Sequence, residues 1–187
     1  MTESGVSPRL PLGTPGAIFW NTGDEHDEQG HISEEPMMRT RMYEKRMKKL
    51  ETADKEIPVS ERISFYGDSD ASATVVSWGS PKGAILEAIQ RLGHKGYQLS
   101  FLQVRMPHPF PKEYVADVLS KVKKRIIVEG NYSAQLASII KENTGLDMDY
   151  YVLKWNGRPM SSDEVYEALK LIMQNKAPKR QVLTHGT

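Results

Sequence analysis

The chain of 187 residues contains no cysteine. A disulfide framework, thiolate ligation of an iron–sulfur cluster, a structural zinc site of the cysteine type and a thiol nucleophile are therefore excluded for this chain. It also lacks any apolar run near the ~18 residues a membrane span requires. Net charge is nearly absent: 25 basic against 24 acidic side chains leave +1, which argues against bulk electrostatic binding to nucleic acid. The opening residues Met1 to Gly5 have neither a basic nor an apolar region, so no secretory leader is expected. Walker loop, Rossmann glycine fingerprint and nucleophile elbow are all missing. These absences suit a cytoplasmic protein that touches neither nucleic acid nor membrane.

What is present suffices for a folded domain. Hydrophobic residues make up 39% and charged residues 26%, a balance that disfavours global disorder. The length fits one domain, or one domain with a long appendage.

Charge is not evenly spread. Asp24, Glu25, Asp27, Glu28, Glu34 and Glu35 form an acidic block, and Arg39, Arg41, Lys45, Arg46, Lys48 and Lys49 a basic one. The two blocks either pair or face solvent separately. Pro8, Pro11, Pro15, Gly13, Gly16, Gly23 and Gly30 punctuate residues 1–36, which reads as an extended loop. Residues 37–52 read as a helix, with Tyr43, Met47 and Leu50 on one stripe and Met38 and Met42 on another.

From residue 60 the pattern alternates strand and helix. Strands are expected at 63–66, 73–78, 99–104, 126–128 and 150–153. Helices are expected after Pro81, after Pro111, over 133–143 and after Ser161 or Ser162, with Ser80 capping the first. Such alternation means βαβ crossovers and a mainly parallel sheet covered on both faces, an α/β fold. The tail from Lys176 is polar and expected to fray.

In such a sheet, ligands favour the carboxyl ends of strands. Those ends carry Trp78-Gly79-Ser80, Arg105-Met106-Pro107 and Glu129-Gly130-Asn131. Either an anion sits at the following helix N-termini, or these are ordinary turns. His26 and His31, among Glu25, Asp27 and Glu28, have metal-ligand chemistry. Their spacing of five in a glycine-containing loop does not suit a site. A metal-dependent hydrolase built on them is the weakest reading, and no metal site is expected. Arg9 stands in a proline-stiffened loop with Ser7 and Thr14 nearby; a guanidinium presents two parallel donors that match a carboxylate.

Four stretches jointly carry a resemblance: Glu3 to Arg9 with Leu12 to Gly16; Gly23 to Glu28 with Gly30-His31; the Arg39-to-Leu50 helix; and Arg105 to Pro111 followed by Glu129-Gly-Asn131 with Gln135-Leu136. In this order they resemble the α chain of the 2-oxoacid:ferredoxin oxidoreductases, archaeal members above all. The match is to the C-terminal part of that chain, without the upstream pyrimidine-binding domain and its Tyr-Pro-Ile-Thr-Pro-like motif. The resemblance implies oxidative decarboxylation of a 2-oxoacid, pyruvate or 2-oxoglutarate among them, with coenzyme A, giving acyl-CoA, CO2 and reduced ferredoxin. It implies thiamine diphosphate, Mg2+ and [4Fe-4S] clusters in the complete enzyme. The partners implied are a β subunit, further α/γ domains and ferredoxin.

The family's substrate-gripping arginine falls on Arg9 and its threonine on Thr14. Substrate binding by Arg9, Thr14 and Ser7 is thus implied, with Glu25, His26, Asp27 and His31 as lining of the site. No catalytic or cofactor-binding residue is expected in this chain alone, which is expected to be inactive by itself. The body resembles a transketolase C-terminal-like domain: a three-layer α/β/α sandwich, mostly parallel and five-stranded, with one antiparallel edge. The division implied is an arm over 1–59, this domain over 60–175 and a tail over 176–187. The competing reading is a stand-alone, non-catalytic CoA- or nucleotide-binding α/β module.

Overall fold

The structure is a computed structural model describing residues 2–185; Met1 of the arm, and residues 186 and 187 of the tail, lie outside the described residues. The chain forms two compact units, Met1–Ile57 and Pro58–Thr187.

The first unit is an extended loop and one long helix, α1 (Pro36–Glu56). Pro36 stands where a missing N–H costs nothing. The Glu35 carboxylate accepts from the amides of Met37 and Met38, meeting the positive helix end with a negative charge. The helix runs a turn beyond Thr52 because no breaker intervenes before Pro58. Of its two apolar stripes, the Met38–Met42 side turns inward and Met42 is buried, while Tyr43 and Met47 stay exposed. Gly5 fastens the loop to α1. Its φ is +74°, and a Cβ there would lie 2.6 Å from the Lys45 carbonyl oxygen, so only glycine fits. The Thr52 hydroxyl completes the contact by donating to the Ser4 carbonyl.

The second unit begins with a short turn, α2 (Val59–Arg62), and continues as β1 (Ile63–Tyr66), β2 (Ala73–Ser77), α3 (Lys82–Gly93), β3 (Leu99–Val104), α4 (Lys112–Lys121), β4 (Arg125–Glu129), α5 (Gln135–Thr144), β5 (Tyr150–Leu153), α6 (Ser162–Met173) and β6 (Arg180–Val182). The strand order is β1-β3-β2-β4-β5-β6. Only β1 is antiparallel.

Strand alternation builds two cores from adjacent residues. Val75, Phe101, Ile126 and Val152 meet α3 and α6 on one face. Their neighbours Val76, Leu102, Ile127 and Leu153 meet α4 and α5 on the other. Burying each such side chain contributes about 1.5–3 kcal/mol, and being covered twice is what makes these strands continuous apolar runs.

The α/β sandwich is as expected, with three differences of detail. The sheet has six strands, not five. The supposedly frayed tail supplies β6, whose Arg180, Gln181 and Val182 register with Tyr151, Val152 and Leu153. Backbone pairing satisfies the outer edge of β5 and needs no apolar side chain. Ser80 does not cap α3: Pro81 precedes the helix in αR geometry, with no side-chain cap. Helix α5 starts two residues later than expected, because Ala134 takes a left-handed φ of 56°.

Candidate functional site

The expected substrate residues all lie in the first unit. Ser7 is anchored, its hydroxyl accepting from the Lys45 ammonium of α1. Thr14 closes a turn on Pro11: its amide and hydroxyl reach the Pro11 carbonyl at 3.2 and 2.7 Å. Between them Arg9 is exposed. Among the described residues its guanidinium has no hydrogen bond or ion pair, and no hydrogen bond joins it to Ser7 or Thr14. The loop is thus tied to α1 at Ser7 and turned locally at Pro11–Thr14, while the Arg9 guanidinium stays available.

The acidic loop pairs with the basic helix. Glu25 receives two parallel bonds from Arg46, at 3.0 and 2.7 Å, and lies 3.8 Å from Arg39. Arg41 meets Glu28 at 3.6 Å. The Arg46 bond holds the Glu25 carboxyl below the usual carboxylate range, against an opposing effect of burial, and Glu25 in turn raises Arg46. Asp27 organises its own turn. Its carboxylate accepts from the amides of Gln29 and His31, both at 2.9 Å, and these bonds lower its pKa despite burial. His26 and Ile32 form an isolated antiparallel bridge. The His31 ring lies 3.8 Å from Asp27 and 6.0 Å from the Trp20 ring. Glu25, Asp27 and Glu28 are therefore engaged in internal bonds and helix docking. Among the described residues no group of three or more His, Asp or Glu side chains is placed to hold a metal ion.

In the second unit, sequence reasoning missed a buried polar centre. Glu129, fully buried at the end of β4, accepts from the amides of Leu136 and Ala137 at 3.0 and 3.1 Å, from the Asn131 amide at 2.7 Å and from the Trp78 indole at 3.2 Å. The anion at the N-terminus of α5 is thus the protein's own carboxylate. Of the two readings of Glu129-Gly130-Asn131, the structural turn is the correct one at this helix. An acid closing an otherwise apolar strand was the available signal.

A second buried centre joins β5 to α6. The Lys154 ammonium donates to Glu164 at 2.6 Å, to the Pro159 carbonyl at 2.8 Å and to the His185 carbonyl. Glu164 also closes a capping box with Ser161. Burial raises the Glu164 pKa, but the Lys154 and Ser161 bonds outweigh it and the net direction is down.

The family model described as pyruvate:ferredoxin oxidoreductase core domain II matches residues 71–165, from the approach to β2 into α6. The chain belongs to that family. Its relatives extend the likeness across the arm. It is 47% identical over 186 residues to a 2-oxoacid:ferredoxin oxidoreductase subunit alpha of Saccharolobus solfataricus, covering 100% of this chain and 29% of that subunit. It is 46% identical over 185 residues to subunit alpha of a 2-oxoacid:ferredoxin oxidoreductase 1 from Sulfurisphaera tokodaii, covering 99% of this chain and 28% of that one. Among solved structures, a 2-oxoglutarate:ferredoxin oxidoreductase from Magnetococcus marinus, holding 2-oxoglutarate, coenzyme A and succinyl-CoA, superposes with a TM-score of 0.64. There the identity is 27%, over 90% of this chain and 29% of that one. The chain therefore spans less than a third of the length of these relatives.

The oxidoreductase family implies metal and cluster chemistry that the residues here do not fit. The chain has no thiolate, and of the acids around His26 and His31, Glu25 is engaged with Arg46 and Asp27 with backbone amides.

Proposed function

We propose that this chain is a portion of the α subunit of a 2-oxoacid:ferredoxin oxidoreductase, where it contributes substrate-carboxylate recognition and subunit assembly. The whole enzyme oxidatively decarboxylates a 2-oxoacid with coenzyme A to acyl-CoA, CO2 and reduced ferredoxin. Thiamine diphosphate, Mg2+ and [4Fe-4S] clusters are held outside this chain, with a β subunit and further α/γ domains, in the cytoplasm. Coenzyme A is a co-substrate. This chain alone does not turn over.

One observation carries the assignment to Arg9. The first unit has four arginines. Arg39, Arg41 and Arg46 each meet a glutamate. Arg9, in a loop tied to α1 at Ser7 and turned at Pro11–Thr14, has no carboxylate partner among the described residues. An external carboxylate of a 2-oxoacid is a fitting partner for it. The assembly role is supported by apolar surface that the first unit leaves open: Leu12, Ile18 and Trp20 in the loop, Met37 and Met47 on α1. Covering these side chains in an assembly would remove their apolar surface from water.

The test is Arg9→Ala in the complete enzyme, read as 2-oxoacid-dependent dye reduction. Loss of a charge-assisted pair, about 1.5–3 kcal/mol, lowers kcat/KM by roughly 10- to 150-fold. Arg9→Lys retains the charge without the fork and recovers part of the loss. Kinetics unchanged by Arg9→Ala would remove Arg9 from substrate recognition.

A further inference from the structure

Lys45 of α1 touches the loop that carries Arg9 at two points. Its backbone carbonyl oxygen lies 2.6 Å from where a Cβ of Gly5 would stand, so the loop rests on the helix backbone there. Its half-buried side chain reaches 38 residues back along the sequence, and the ammonium donates to the Ser7 hydroxyl at 2.5 Å. About two turns further along α1, the Thr52 hydroxyl donates to the Ser4 carbonyl at 2.8 Å. Residues 2–6 are knitted locally: the Gly5 amide donates to the Thr2 carbonyl at 3.1 Å, and the Thr2 hydroxyl to the Val6 carbonyl at 2.7 Å. Among the described residues, the last hydrogen bond from α1 before Arg9 therefore falls on Ser7.

The residue between Ser7 and Arg9 is proline. The Pro8 ring fixes its own φ near about −65° and biases Ser7 towards extended backbone. Few soft dihedrals then separate the anchored Ser7 from Arg9, and two residues span at most about 7 Å. A restraint on Ser7 is thus passed on to Arg9 rather than absorbed by the chain. After Arg9, the Pro11–Thr14 turn closes on the loop itself, so the hold on the helix comes from the Ser7 side. A neighbouring lysine of α1 behaves differently: Lys48 meets Glu51 of its own helix at 3.3 Å.

We propose that Lys45 is a positioning residue for the 2-oxoacid: through Ser7 and Pro8 it holds the Arg9 guanidinium ready for the substrate carboxylate. This rests on the role proposed for Arg9 and adds the residue that makes that role effective. Lys45 acts without touching the substrate. Because the Ser7 hydroxyl accepts from Lys45, its own O–H stays free to donate. A loop held in place before binding loses less freedom when the substrate arrives, which lowers KM. Released from α1, the loop samples more positions and the fraction competent to bind falls.

The test is Lys45→Met in the complete enzyme, which keeps the apolar stem and removes the donor. KM for the 2-oxoacid should rise about tenfold, with kcat within about twofold of the wild type. KM for coenzyme A and the urea midpoint should not move. Lys45→Arg, which restores a donor, should recover most of the loss. Lys48→Ala, which removes a cation about one turn away, should leave KM unchanged. Ser7→Ala should reproduce Lys45→Met, and the double variant should be no worse than either alone. In an Arg9→Ala background, Lys45→Met should add nothing. A wild-type KM in Lys45→Met beside a clear loss in Arg9→Ala would overturn the role of Lys45 and spare that of Arg9. No loss in either variant would overturn both. Additive losses from Lys45→Met and Arg9→Ala, or an equal rise in KM for coenzyme A, would also overturn the positioning role.

Discussion

Glu129 shows how a single buried charge can be neutralised without a cation. Four donors surround its carboxylate, and two of them are the otherwise orphaned amides of Leu136 and Ala137 at the start of α5. The group thus caps a helix, orients Trp78 and closes β4 in one stroke. Glu129→Ala leaves the amides of Leu136 and Ala137 buried and unpaired. Because hydrogen bonds to charged groups are worth about 1.5–3 kcal/mol and orphaned donors add their own desolvation cost, the variant should lose about 3 kcal/mol or more. Urea unfolding would show this as a lower midpoint at unchanged slope; a wild-type midpoint would refute the account of this centre.

At the scale of elements, the α5–β5 junction has a pH response of its own. Asp147 receives the Tyr151 hydroxyl at 2.6 Å and Lys141 at 3.0 Å. The Tyr151 bond first, then Lys141, hold its carboxyl down at about 2, against burial. Tyr151 is pushed up to about 12, by burial first and then by Asp147. The signs differ. A carboxyl with a lowered folded pKa contributes stability that is present above its unfolded value, 3.8, and lost as pH falls towards 2. A phenol with a raised folded pKa keeps its contribution below its unfolded value, 10.0, and loses it as pH rises towards 12. Chemical unfolding should therefore show stability falling on both flanks. Tyr151→Phe should flatten the alkaline flank and reduce the acid one. An alkaline flank unchanged by that substitution would count against the pairing.

Across the whole molecule, the two units differ in how they hold together. The second has a doubly covered sheet whose central residues Val75, Val76, Phe101, Leu102, Ile126 and Ile127 are fully buried. The first rests on Met42, the Gly5 contact, backbone turns and surface ion pairs, interactions individually worth about 1 kcal/mol or less when exposed. Amide hydrogen exchange should follow this division. Protection should be greatest in β2, β3 and β4 and least over residues 2–35. Comparable protection in the loop and the sheet would contradict it.

Much of this was legible in the sequence because the signals are local. Apolar runs bounded by glycine and proline located β1 to β5. Ser161, with Glu164 three residues on, forms the capping box at the start of α6, whereas the opposite charge blocks left pairing and separate solvation open, and only the structure shows the Glu25–Arg46 pair. What escaped were contacts whose partners lie far apart along the chain. Strand β6 is polar, so only its backbone fit to β5 defines it. Lys154 reads as a surface charge until Glu164 and the His185 carbonyl fold around it. Periodicity, turn chemistry and family motifs by themselves determined the α/β class and the family. Which charges are paired, which are buried and which remain open to a ligand was decided by the tertiary structure alone, because those properties depend on through-space distance and exclusion of water.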